Sequence, residues 1–294
     1  MITTAERAPL YVEEQHRPLR LWRFVRRNPT MVGGMLLFSL MVIMAIGAPY
    51  WGTLDPLELN PIERLRAPSM AHWFGTDMLG RDLYSRTVYG SRISLLVGVC
   101  VAVLSVTIGL AIGLLSGYHR HVDAIVMRVM DGVMAIPAIL LAIALIALVN
   151  ASVQNVIIAL TIPEIPRVVR VVRAVVLSLR EQMYIEASRA TGANLLRILV
   201  RHILPNTVAP LIVQGTYICA SAIIVEAYLS FLGAGTPPEI SSWGNIMAEG
   251  RAYVRIAFWI LLFPGVCLAT TVLAINLLGD GLRDTLDPKL ARRM

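Results

Sequence analysis

The sequence predicts an all-α, polytopic membrane protein with six spans, on three observations. The 294 residues are 56% hydrophobic and 15% charged, with a mean hydropathy of +0.68, too apolar for an ordinary soluble domain and too long for a single anchor. Six runs reach the roughly 20 residues needed to cross about 30 Å of hydrocarbon. Lys and Arg collect in alternate connections, the asymmetry that sets orientation in a membrane.

In chain order, residues 1–30 carry six arginines and no apolar core, and are expected to stay in the cytoplasm. The first run, 31–51, has no small-residue cleavage site after it and is expected to remain as a signal anchor. Residues 52–92 form an external loop, whose second half, 77–92, reads as an amphipathic helix on the membrane surface with Arg81, Asp82, Ser85 and Arg86 towards water. Residues 93–280 form the core, with spans at 93–117, 132–149, 154–176, 207–233 and 256–279. Pro163 and Pro166 interrupt the fourth of the six spans, with Glu164 between them. Such a helix survives only where neighbours or water satisfy its freed backbone groups, so it is expected to face protein. Residues 281–294 form a cytoplasmic tail.

With the N-terminus inside, nineteen of the 26 Lys and Arg fall on cytoplasmic segments. Both termini are therefore expected in the cytoplasm. The net charge of +7 reflects this insertion bias; the basic residues form no single patch, which excludes a nucleic-acid partner. Cys100, Cys219 and Cys267 lie in apolar runs at spacings that suit neither disulfides nor a metal, and read as packing residues.

Between the fourth and fifth spans stands "EASRATGANLLRILVRHILPN", residues 186–206. Leu195, Leu196, Leu199, Val200 and Ile203 recur near a 3.6 period, with Asn194, Arg197 and Arg201 on the other face. Gly192 suits a left-handed break after a first helix, and Pro205 marks the end of a second. The cytoplasmic segment, about 178–205, is far longer than the roughly 2–8 residues that join antiparallel helices, which argues against a mere connector.

Glu186, Ala187, Gly192, Leu204 and Pro205 stand at the spacing of the EAA motif, and the segment resembles the cytoplasmic loop of permease subunits in ATP-binding-cassette importers. Ser188 replaces the motif's second alanine, and His202 its isoleucine. "FGTDMLGRDLYSRTVYGSRISLLVG", "SFLGAGTPPEISSWGNIMAEGR" and "NLLGDGLRDTLDPKL" are similar to blocks of the dipeptide, oligopeptide and nickel group, within it the second, shorter permease of a heterodimeric pair. The resemblance implies a type I importer permease in a bacterial inner membrane. It implies that Glu186, Ala187, Ser188, Gly192, Leu204 and Pro205 couple to an ATPase, and that the partners are a homologous permease, two ATP-binding subunits, an external substrate-binding protein and membrane lipid. The chain has no phosphate loop of the G-x-x-x-x-G-K-[ST] kind and its single lysine is Lys289. It is thus expected to be no enzyme and to bind no cofactor, with ATP and Mg on the partner subunits. Peptides are the favoured substrate; nickel, glutathione, opines and sugars are the alternatives.

A different class of function rests on "RVVRVVR", where Arg167, Arg170 and Arg173 keep a voltage-sensor spacing. Only three arginines keep it, at the cytoplasmic end of a span and with no carbonyl-filter sequence, so they read as interfacial arginines reaching towards headgroups and water. The spans offer no cluster of acid, base and nucleophile for a membrane enzyme. Glu226, Glu164 and Asn276 are costly in hydrocarbon; they either line a translocation pathway or are held by hydrogen bonds between helices. Arg128 and Asp131 are expected to pair locally, and His119 and His121 to lie solvated in a short turn. Trp243 is assigned to the headgroup interface.

Overall fold

A computed structural model of the chain describes residues 28–286. Their helices are α1 (Pro29–Ile46), α2 (Leu83–Tyr118), α3 (Arg120–Met134), α4 (Ala138–Ala147), α5 (Val153–Arg180), α6 (Met183–Ala190), α7 (Leu195–Phe231), α8 (Trp243–Gly250) and α9 (Trp259–Leu286), with short 3-10 turns between some of them. The expectations for residues 1–27 and for the end of the tail, 287–294, including Lys289, lie outside the described residues.

Helix starts follow local chemistry. Pro29 opens α1, where its missing N–H costs nothing. Side chains of Asp82, Ser152, Asn194 and Ser242 cap α2, α5, α7 and α8 by accepting from backbone N–H groups three residues on.

Among the described residues, α1, α2, α7 and α9 are long and apolar enough to cross a membrane, and α3 with α4, bent by 86°, makes a fifth candidate. The bend replaces the straight third span expected at 132–149: Pro137 caps α4 and forces the chain to turn after Met134. The fourth expected span, α5, is 28 residues long, but Glu164, Arg167, Arg170, Arg173 and Arg180 shorten its apolar part. Pro163 and Pro166 do not interrupt it; the helix continues through both. It faces protein as expected, with Glu164 and Pro166 buried.

The α2–α5 seam lies just beyond the two prolines. Ser105, Gly109, Gly113 and Gly117 place a small residue on every turn of α2, and the Cβ positions of the last three would stand 2.5 to 2.6 Å from Val168, Val172 and Val176. Bare backbone thus meets β-branched side chains, the close approach that small residues permit between membrane helices. α7 packs on α2 and α9, and α1 on α9, where Met31 lies against Gly281. The start of α1, the end of α9 and α6 therefore share one end of the bundle, the lever end. The opposite cap end is built from residues 53–82 and α8.

The cap corrects the surface helix expected at 77–92 and the boundary at 92. α2 is one helix of 36 residues, about 54 Å at 1.5 Å per residue, so it projects beyond a bilayer core of about 30 Å. Its projecting turns are covered. Residues 60–82 fold back over them through Leu65 N–H to Asp77 O, Thr76 N–H to Arg66 O and Leu83 N–H to Gly75 O, at 3.0 to 3.1 Å. Gly80 has φ +78°, and a Cβ there would overlap the Asn60 carbonyl. Arg81, Asp82, Ser85 and Arg86 are consequently buried, not turned to water. Trp243 is also fully buried and donates to Thr87 O at 3.0 Å, instead of sitting at a headgroup interface.

Candidate functional site

The lever begins where α5 ends. Arg180 Nη1 donates to Gly117 O at 3.1 Å, fixing that end of α5 to the end of α2. After Glu181 and Gln182 the short α6 starts, held to the bundle by Ile185, its single buried residue. Arg189 lies over the Tyr118 ring at 5.1 Å.

α6 stops at Gly192, where φ is +84°. Gly192 N–H donates to Arg189 O at 2.9 Å and Ala193 N–H to Ser188 O at 3.0 Å, the paired bonds of a Schellman cap, which satisfy the last carbonyls of the helix. Asn194 then caps α7, accepting from Arg197 N–H at 3.0 Å. Two helices thus meet at a turn fixed by backbone geometry.

Pro205 does not end the second helix. α7 passes through a π turn at Leu199–Ile203 and on through Pro205 to Phe231. A wide turn just before the ring removes the clash that a proline makes with the carbonyl four residues back. The apolar face also splits: Ile198, Leu199 and Ile203 are buried, whereas Leu196 and Val200 are 69% and 52% exposed. On α6, Met183 is 85% exposed and Tyr184 is also uncovered. Ala187 and Ala190 are exposed, and Ser188 is half-buried with Oγ 3.5 Å from His202 Nε2. Glu186 is exposed and forms no ion pair among the described residues. Leu204 is half-buried and Pro205 exposed.

Next to the lever, the expected pair of Arg128 with Asp131 does not form. Asp131 binds Arg170 at 2.6 Å, and Asp123 binds Arg173 with Nη2 to Oδ2 at 2.7 Å. Arg167 binds both oxygens of Glu164 at 3.0 Å. Each arginine of the "RVVRVVR" run is therefore paired, two of them joining α3 to α5, while Arg167 and Arg170 keep nearly half of their side-chain surface exposed. His119 is the single residue that joins α2 to α3 and is the N-cap of α3, and His121 lies in the first turn of α3; both are exposed, as expected.

Of the two carboxylates weighed for a pathway, Glu226 is fully buried. It accepts from Ser230 Oγ at 2.9 Å and Ser94 Oγ at 3.5 Å, and Ser230 continues through Thr236 to Ser242 and Asn245. This polar knot joins α2, α7 and α8. Glu164 is taken by Arg167.

Composition and periodicity do not single out the charge cage of the cap. Asp77 Oδ2 accepts from Arg81 Nε at 2.6 Å and Arg86 Nη1 at 2.5 Å, and Glu249 Oε2 accepts from Arg81 Nη2 at 2.5 Å and Arg86 Nη1 at 2.7 Å. Glu249 lies 163 positions beyond Arg86, so no local spacing signals the pairing. Beside the cage, His72 bridges Glu63 and Asp82. Burial opposes its charged form, but hydrogen bonds to Asp82 and Glu63 outweigh burial and hold its pKa above the ordinary value; the His72 hydrogen bond in turn holds Glu63 low.

The chain has counterparts among known proteins. A family model described as the inner membrane component of binding-protein-dependent transport systems matches residues 105–292. The chain belongs to this family. It is 52% identical to a probable peptide ABC transporter permease protein of Sinorhizobium fredii, over 92% of this chain and 93% of that one. It is 41% identical to the dipeptide transport system permease protein of Alkalihalophilus pseudofirmus, over 95% and 93%. An inward-facing structure of the MetNI methionine ABC transporter shares the fold, with a TM-score of 0.56 at 24% identity, covering 70% of this chain and 98% of that one.

Proposed function

We propose that this chain is one permease of a pair in an ATP-driven, binding-protein-dependent importer that moves di- and oligopeptides across the inner membrane. The observation that carries the reading is α6 itself: a short helix anchored by Ile185 and stopped by a Schellman turn, with Glu186, Ala187 and Ala190 presented to solvent. In this account it seats in a cleft of an ATPase subunit. Small residues allow close approach, Glu186 accepts from the ATPase, and Met183, Tyr184, Leu196 and Val200 supply apolar contact. A homologous permease presents a second lever to a second ATP-binding subunit.

ATP and Mg belong to those subunits. This chain converts their closure into movement of the paired bundles, which open alternately to the two sides. Leu204 and Pro205 lie in α7 just after its π turn, where displacement of α6 passes into the long part of that helix. The lever end, and both termini with it, faces the cytoplasm; the cap faces out and meets the substrate-binding protein. In this arrangement α5 and the bent α3–α4 pair complete six spans, shielded by the partner permease. Glu226 acts by tying α7 to α2, and Glu164 by pairing with Arg167 within α5, rather than by touching substrate. Peptides are proposed because two relatives with matching lengths are named for peptide or dipeptide transport.

The test is reconstitution with the partner subunits and receptor in liposomes. Uptake of labelled dipeptide is expected to require ATP and receptor, and to vanish when the ATPase loses a catalytic residue. Nucleotide-independent uptake by this chain alone would refute the reading.

A further inference from the structure

His72 has a hydrogen-bonding pattern that only one protonation state satisfies. Its Nδ1 is 2.9 Å from Asp82 Oδ1, and its Nε2 is 2.9 Å from Glu63 Oε2. A neutral imidazole carries one N–H and can donate to one of the two; the imidazolium donates to both. His72 and Asp82 are buried, at 9% and 7% exposed, so this is not a casual surface pairing.

The two carboxylates belong to different parts of the cap. Glu63 closes the 3-10 turn Pro61–Glu63, and its carbonyl accepts the Thr76 hydroxyl. Asp82 is the N-cap of α2: its other oxygen accepts from Ser85 N–H at 2.8 Å and Ser85 Oγ at 2.6 Å. The charged ring therefore ties the folded-back loop to the first turn of the longest helix. The remaining charged and titratable groups around it are Arg66, bound to Glu63 at 2.9 Å, Asp55 and Glu58, which share a cleft of about 90 Å³ with His72, and Tyr84, close to Asp82. Carboxylates outnumber cations there, a balance that favours the imidazolium.

We propose that His72 is a positioning residue of the import cycle: as an imidazolium it latches the cap onto α2, and import fails when the solution bathing the cap removes its proton. The inference rests on the importer reading, which makes that solution the external one. The sign follows from the raised pKa. Stabilisation by His72 is complete below its unfolded value of about 6.5 and is lost as pH rises through the higher folded value. Glu63, held low, adds stabilisation that is lost only as pH falls through its depressed value. The latch is closed between the two.

The experiment uses the assembled transporter in liposomes, with the inside buffered and the cap-side pH stepped from about 6 to about 9. Two readouts are taken together: hydrogen-exchange protection of residues 60–82 and ATP-driven dipeptide uptake. Protection is expected to fall roughly tenfold, about the worth of one charge-assisted hydrogen bond, with a midpoint above 6.5, and uptake to fall with the same midpoint. His72→Gln should show low, pH-independent protection, and Glu63→Gln should move the midpoint to lower pH. Flat protection in the wild type, an unchanged midpoint in His72→Gln, or uptake that ignores a titrating latch would each overturn the proposal. Protection that titrates as stated, with no ATP-driven uptake at any pH, would support the latch and sink the importer reading.

Discussion

The two ends of the molecule treat charge in opposite ways. At the cap, Arg81 and Arg86 are buried and share Asp77 and Glu249, with every carboxylate–guanidinium distance of the cage between 2.5 and 3.2 Å. At the lever, Glu186 stands exposed, and so do the large apolar side chains of Met183, Tyr184, Leu196 and Val200. A buried network in which both guanidiniums and both carboxylates find partners, with Arg86 Nε left as a buried orphan, closes largely within one chain, whereas exposed large apolar groups call for a partner. The cap is built to keep its shape and the lever to meet something.

Breaking the cage gives the largest expected effect. Glu249→Ala leaves Arg81 and Arg86 short of a carboxylate, which costs about 3–5 kcal/mol when a buried pair loses one member. Thermal unfolding in detergent should show a clear loss of stability, and an unchanged midpoint would mean that the cage is not closed as described. A smaller loss is expected for Gly113→Val, whose Cβ would stand 2.6 Å from the Val172 Cβ; overpacking costs about 1–3 kcal/mol. The double change Gly113→Ala, Val172→Ala should recover part of it, since the two sites share one contact.

Gly192→Val separates the ends most sharply. Nothing lies within 4 Å of a Cβ at Gly192, so the cost is backbone strain alone, about 1–3 kcal/mol at positive φ. The chain should still insert and pair, but ATPase subunits should co-purify poorly and uptake should fall steeply. Gly192→Asn, which tolerates the left-handed region, should retain most activity. Glu186→Ala, which removes one polar contact, should have the smallest effect, about 1 kcal/mol of ATPase affinity and no change in thermal stability.

Much of the lever was legible because its signals are local. Gly192 announces a turn by residue type, and Leu199 and Ile203 of the expected apolar set are buried, together with Ile198, which that set left out. Local pattern failed wherever a distant residue decides. Arg81 and Arg86 look like a water-facing helix because Glu249, which pairs with both, lies four spans further along the chain. Pro205 looks like a helix end because a π turn leaves no signature in side-chain type. Arg128 lost Asp131 to Arg170 on a neighbouring helix. The small residues from Ser105 to Gly117 recur every fourth position, a pattern visible in the sequence whose meaning depends on Val168, Val172 and Val176 facing it.

The central claim is that α6 seats on an ATPase subunit, and placing a photocrosslinker at exposed Ala187 in the assembled transporter tests it most directly. The account predicts a crosslink to the ATPase whose yield changes when ATP is bound, while a crosslinker at exposed Glu239 on the cap captures receptor and never ATPase. Capture of the receptor from Ala187, or of ATPase from Glu239, would contradict it.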